Sequence, residues 1–70
     1  MRIKLSDPAL VDELLDYLRR HDVLAERLTR DVISASLPAA HRRDAAILEL
    51  ELYLRVFEAI HPGTKVERIA

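Results

Sequence analysis

The segment Asp44–Ile60, which reads DAAILELELYLRVFEAI, carries more apolar surface than one side of a helix can hold. At about 100° per residue its apolar side chains cover an arc of about 260°, whereas a surface helix needs only about 100° to pack on a core. We therefore expect this helix to be buried on two sides, by its own chain or by another. The excess indicates association rather than chemistry.

The apolar positions of this helix divide into two stripes. The wider stripe, expected to face the core, consists of Ala46, Ile47, Leu50, Tyr53, Leu54, Phe57 and Ile60. The second stripe, predicted to be an interface, consists of Ala45, Leu48, Leu52, Val56 and Ala59. Glu49 separates the stripes and is predicted to lie at the rim of the contact. If the contact buried Glu49, an arginine would have to pair with it.

Two arrangements could cover the second stripe. The first helix of the same chain could absorb part of the excess. Alternatively a second copy could meet it across a two-fold axis, which is the commonest symmetry of protein oligomers. The sequence predicts a homodimer, or a complex with another protein, formed through the second helix.

The size of the chain makes association plausible on energetic grounds. The 70 residues predict one domain, residues 1–70. A chain of this size buries only about 60% of the surface that its unfolded form exposes. The sequence contains no cysteine, so neither a disulfide nor a thiolate metal site can stabilise it. Good packing and oligomerisation remain as sources of stability.

Local patterns predict four strands and two helices. Arg2–Leu5 alternates polar and apolar residues, and Ser6-Asp7-Pro8 predicts a helix start, with Asp7 as its cap. The predicted elements are a strand at 2–5, a helix at 8–20, a hairpin of strands at 23–28 and 32–37, a helix from about 40 to 61, and a strand at 65–69. The order β-α-β-β-α-β predicts an α+β fold of the ferredoxin-like type, a four-stranded antiparallel sheet with two helices on one face.

The alternation of the strands predicts the two faces of the sheet. The residues predicted to meet the helices are Ile3, Leu5, Ile33, Ala35 and Leu37, and those predicted to line the open face are Arg2, Lys4, Ser34 and Ser36.

No pattern indicates a catalytic, cofactor-binding or metal-binding residue. His21, His41 and His61 fall at helix ends, where capping explains them, and a pair of them lacks a fixed carboxylate nearby. Gly63 is the only glycine, so a phosphate-binding loop is absent. The aromatic residues all fall in predicted helices, which argues against base stacking on the open sheet face. We expect neither an enzyme nor a nucleic-acid binder.

Charge and hydropathy predict an ordinary soluble surface. The formal net charge is −1, and 33% of the residues are charged, with both signs interspersed. No apolar run approaches a membrane span or the core of a signal peptide, so a cytoplasmic protein is expected, with no membrane partner. Nine of the eleven basic residues are arginine, which is typical of a GC-rich bacterial genome.

The segment Leu50–Arg55 together with His61-Pro62-Gly63 resembles a pattern in small bacterial proteins that carries no assigned activity. Motifs of characterised ferredoxin-like families are missing. The chain lacks the Cys-x-x-Cys of heavy-metal chaperones, the loop of acylphosphatases, the proline of tautomerases, and the glycine that ACT-type sensors usually carry near the first strand–helix junction.

The leading prediction is a non-enzymatic association module, such as an accessory subunit or a small regulator. One alternative is an ACT-like domain that senses a small ligand, bound between helix and sheet or at the dimer seam. Further alternatives are a dimeric ferredoxin-like enzyme and a nucleic-acid binder.

Overall fold

A computed structural model describes residues 1–38 and 42–69 of the chain. The elements in chain order are β1 (Arg2–Leu5), a 3-10 turn (Pro8–Leu10), α1 (Val11–Arg20), β2 (Leu24–Arg27), β3 (Val32–Ser36), α2 (Arg43–Ile60) and β4 (Val66–Arg68). The prediction of an α+β fold with two helices and a four-stranded antiparallel sheet is confirmed.

The strands lie in the order β2-β3-β1-β4, and every neighbouring pair is antiparallel. Ile3 lies opposite Ile33, and Leu5 lies opposite Val66. Because side chains of paired residues share a face, this register places the buried residues of all four strands on one side of the sheet.

The core lies between that side of the sheet and the two helices. Both helices contribute to one cluster of buried apolar side chains, which consists of Ile3, Leu5, Val11, Leu14, Leu15, Leu18, Val23, Ala25, Ile33, Ala35, Leu50, Leu54, Phe57 and Val66. Leu37 was predicted to be part of this core and is only partly buried against its edge. On the opposite face Arg2, Lys4 and Ser36 are exposed and Ser34 is half-buried, as the alternation predicts.

The first helix starts at the predicted cap but not with an α-turn. The side chain of Asp7 accepts a hydrogen bond from the backbone N–H of Ala9 at 3.0 Å, and Pro8 occupies the first helical position. The N–H of Leu10 bonds to the carbonyl of Asp7 three residues earlier, which makes the first turn a 3-10 turn. The predicted α-helix at 8–20 is therefore corrected to Val11–Arg20.

The end of α1 turns the chain into β2. Asp22 adopts φ 61°, a left-handed conformation that aspartate tolerates better than most residues. The N–H of Val23 reaches back to the carbonyl of Leu18 at 3.1 Å, and that of Asp22 to Arg19 at 3.2 Å. This is the Schellman arrangement, and it places the buried Val23 against the buried Leu18.

The second helix ends one residue before His61, the predicted last residue. Its last residue is Ile60, and Gly63 takes φ 91° in the turn that follows. The predicted start near Ala40, and the position of His41 at that start, lie outside the described residues. Within them, the helix begins at Arg43.

Candidate interaction surface

The helix α2 presents apolar side chains in two opposite directions. Leu50 and Leu54 are buried in the core. Leu52, between them in sequence, is 61% exposed, and Leu48 is 71% exposed. At 100° per residue, the direction of Leu52 lies about 160° from those of Leu50 and Leu54. One face of this helix therefore packs on the sheet, while an apolar face on the far side meets water.

All six residues predicted to form the interface lie on that far side. Ala45, Leu48, Leu52, Val56 and Ala59 are exposed, and we call these five residues the outer stripe. Glu49 is also exposed, at one edge of the stripe.

Ile60, assigned to the core-facing stripe on sequence, is 60% exposed. It is the last residue of α2 and lies about 80° from the direction of Leu52, so it borders the outer stripe rather than the core. The side chain of Ile60 therefore adds to the exposed apolar surface at the C-terminal end of α2.

The first helix does not cover the outer stripe. Tyr17 of α1 packs against Tyr53 and Phe57, with ring centroids 6.3 Å and 5.7 Å apart. Both partners belong to the wider stripe of α2. The contact between the two helices therefore uses the core-facing side, and the excess recognised in the sequence remains on the surface of the subunit.

A row of rings joins α1 to α2, and sequence reasoning did not predict it. His21 stacks on Tyr53 with centroids 4.7 Å apart and planes inclined by 21°, and its edge meets Tyr17 at 5.0 Å. Phe57 contacts His61 at 4.4 Å. The sequence feature that could have predicted this row is the four-residue spacing of the rings within each helix. That spacing places the rings on one side of the helix.

Two histidines thus have structural roles at the helix ends. His61 lies with its Nε2 atom 3.2 Å from a carboxylate oxygen of Glu13, which ties the end of α2 to the start of α1. His21 caps α1 and packs on the rings. Within residues 1–38 and 42–69, no group of three or more metal-binding side chains comes together.

The tyrosines of this row have altered acidity. Burial raises the pKa of Tyr17 above its ordinary value. The pKa of Tyr53 is also raised, first by partial removal from water and then by Glu49, whose carboxylate accepts a hydrogen bond from the Tyr53 hydroxyl at 3.2 Å. Glu49 therefore has a tyrosine partner within its own subunit, where the sequence suggested an arginine.

A groove of about 590 Å³ opens at the N-terminal end of α2, between the helix and the end of the sheet. Its walls include Leu37, Ile47 and Ile69, and Arg43 and Arg68 also line it. An apolar groove with two cationic groups could receive an amphipathic anion.

None of the helices in the described segments combines the length and hydrophobicity needed to cross a bilayer. Comparison of the chain with protein-family models, with curated proteins and with solved structures gives no match.

Proposed function

We propose that this protein is a non-enzymatic association module that binds a second copy of itself through the outer stripe of α2. The observation that carries the proposal is the exposure of Leu48 and Leu52, at 71% and 61%, on a face that has no covering element in the described residues. Val56 and Ile60 extend the same surface along the helix.

The size of this surface supports a role in binding. The helix has 18 residues and is therefore about 27 Å long, and its apolar outer side is roughly 10 Å wide. That gives an apolar patch on the order of 300 Å², at the size where patches on small proteins are often functional. Scattered exposed leucines need no such explanation, but these side chains are contiguous.

The energetics favour a weak rather than an obligate dimer. Complete burial of one leucine gains roughly 1.5–3 kcal/mol. Two copies together bury the exposed fractions of Leu48, Leu52 and Val56 twice, a gain of roughly 5–10 kcal/mol that exceeds only the lower part of the association cost of roughly 4–15 kcal/mol. We therefore expect a dissociation constant on the order of 100 μM.

Light scattering coupled to size-exclusion chromatography tests this proposal with a matched pair of variants. Leu52→Glu places a charge in the centre of the outer stripe and is expected to leave a monomer with the wild-type circular dichroism spectrum. Leu24→Glu is the control, because Leu24 is 62% exposed but lies on β2 at the edge of the sheet. Equal behaviour of the two variants would contradict the proposal.

The second candidate function is the sensing of a small ligand, and the groove beside α2 favours it. Its apolar walls and the two arginines that line it, Arg43 and Arg68, suit a short fatty carboxylate. Calorimetric titration with octanoate tests this candidate. Binding that is lost in the double variant Arg43→Ala/Arg68→Ala would support it, and no binding by the wild type would exclude this ligand class.

We also propose that the architecture is of the ferredoxin-like type. The connection through α1 links β1 to β2, and β3 lies between them antiparallel to both. The connection through α2 links β3 to β4, with β1 between them. Two such split β-α-β units support this assignment.

A further inference from the structure

Self-association through α2 raises the question of which surface of the second copy covers the outer stripe. Other exposed apolar side chains could serve as the opposite side of the contact, because Leu24 and Leu28 lie on and beside β2, and Ile69 follows β4. A contact between α2 and one of these would be heterologous and would generate open chains of subunits. A contact between two outer stripes would close as a dimer.

We infer that the outer stripe is covered by the outer stripe of a second copy, with the two α2 helices antiparallel and the two-fold axis passing beside Leu52. This inference rests on the proposed function and specifies the partner surface. Its first support is the order of side-chain sizes, which is nearly the same in both directions from Leu52. Leu48 and Val56 lie four residues away on either side, and Ala45 and Ala59 lie seven.

This mirror order makes the stripe self-complementary when one copy is reversed. Leu52 meets Leu52 of the second copy at the axis. About 6 Å along the helix, Leu48 shares a layer with Val56 of the other copy, and about 10 Å along it Ala45 shares one with Ala59. Each layer then contains two side chains of similar size, a large pair in the middle and a small pair at each end.

Charges at one edge of the stripe provide the second support. Asp44 and Arg55 lie on the same edge, at about 80° and 60° from the direction of Leu52. Reversal of one helix keeps both residues on that edge and brings Asp44 of each copy to within about 7.5 Å, measured along the axis, of Arg55 of the other. Arg55 keeps its bonds to Glu58 and Val66, and at this separation its positive charge attracts the carboxylate of Asp44 without direct contact. A parallel pair would place these two residues on opposite edges.

Helix dipoles favour the same direction. Antiparallel α2 helices place the partial positive charge of each N-terminus beside the partial negative charge of the other C-terminus. Glu49 lies on the opposite edge of the stripe, where the two Glu49 carboxylates approach to about 9 Å along the axis. Both are exposed in the subunit, so water screens this repulsion.

Disulfide trapping tests the arrangement, because the chain has no cysteine of its own. Facing Cα atoms of helices packed about 8–10 Å apart fall within the distance that a disulfide spans. Under mild oxidation, Leu52→Cys is expected to form covalent dimer at least tenfold faster than Leu24→Cys, the equally exposed control. Ala45→Cys and Ala59→Cys are each expected to cross-link slowly alone and rapidly when mixed.

The outcomes separate this inference from the proposed function. If Ala45→Cys and Ala59→Cys each cross-link rapidly alone, the helices are parallel and the inference is wrong. If the wild type dimerises but Leu52→Cys forms disulfides no faster than Leu24→Cys, another surface covers the stripe and the inference is again wrong. If the wild type stays monomeric at high concentration, the proposed function itself fails.

Glu49→Gln gives a second readout on the wild-type background. Removal of two like charges about 9 Å apart is expected to tighten dimerisation roughly twofold at low salt, and less at high salt. Gln retains an acceptor for the Tyr53 hydroxyl, so the fold should be unaffected. Weaker dimerisation of Glu49→Gln would contradict the antiparallel arrangement.

Discussion

The carboxylate of Glu58 accepts a hydrogen bond from the backbone N–H of Val66 at 2.7 Å. Arg55 also pairs with Glu58, and it donates a hydrogen bond to the carbonyl oxygen of Val66 at 3.2 Å. Val66 is buried, and it is the first residue of the edge strand β4. Two side chains of α2 thus satisfy the backbone N–H and carbonyl of Val66, where β4 begins.

This contact predicts that Glu58→Ala destabilises the fold. The substitution leaves the N–H of Val66 without its acceptor, and an unsatisfied buried donor costs about 1–3 kcal/mol. Chemical denaturation followed by circular dichroism measures the change. Glu67→Ala is the matched control, because Glu67 lies on the same strand and is exposed. A loss below about 0.5 kcal/mol, or an equal loss in both variants, would contradict the proposed role of Glu58.

The contacts of Glu58 and Arg55 with Val66 also explain why the last strand was the hardest element to predict. The sequence 65–69 is short, polar and terminal, and its pattern alone does not distinguish a strand from a loop. The strand at Val66–Arg68 depends on pairing with β1 and on the side chains of α2. Such tertiary support cannot be read from a local pattern.

The elements with strong local patterns were predictable. The alternation in β1 and β3, the cap at Asp7 and the stop at Pro62-Gly63 place those elements within a few residues of their observed bounds. The outer stripe was also predictable, since it depends only on helical periodicity. The row of rings was missed because His21 and His61 were interpreted as end caps, and because the contact of His21 with Tyr53 joins two helices whose packing a local pattern does not show.

The two faces of α2 predict opposite responses to the same substitution. Leu54→Ala removes a side chain that is 0% exposed, and such core truncations cost about 2–5 kcal/mol. Leu52→Ala, on the outer stripe, should change the stability of the monomer by less than about 0.5 kcal/mol. Both free energies of unfolding should be measured at sub-micromolar concentration. A large loss for Leu52→Ala under those conditions would show that the monomer itself buries the outer stripe.

The raised pKa values of Tyr17 and Tyr53 predict a loss of stability at alkaline pH. Because folding raises each pKa above the ordinary value of 10.0, the neutral hydroxyls stabilise the fold fully below about pH 10. That contribution is lost as the pH rises through the pKa of the folded state. Phenolate absorbance should therefore show titration midpoints above those of the unfolded chain.

Variants separate the causes at the two tyrosines. Glu49→Gln should lower the pKa of Tyr53 only part of the way, because removal from water is the larger cause and remains. The pKa of Tyr17 should stay where it is. If the tyrosine titration midpoints of the folded wild type equal those of the unfolded chain, the packing described for the row of rings is contradicted.

Sedimentation equilibrium of the wild-type chain is the decisive test of whether the outer stripe is an interface. We expect a reversible monomer–dimer equilibrium with a dissociation constant on the order of 100 μM, so that the mean mass rises with concentration from the 8.0 kDa of one chain toward twice that value. A constant mass of one chain up to high micromolar concentration would contradict it.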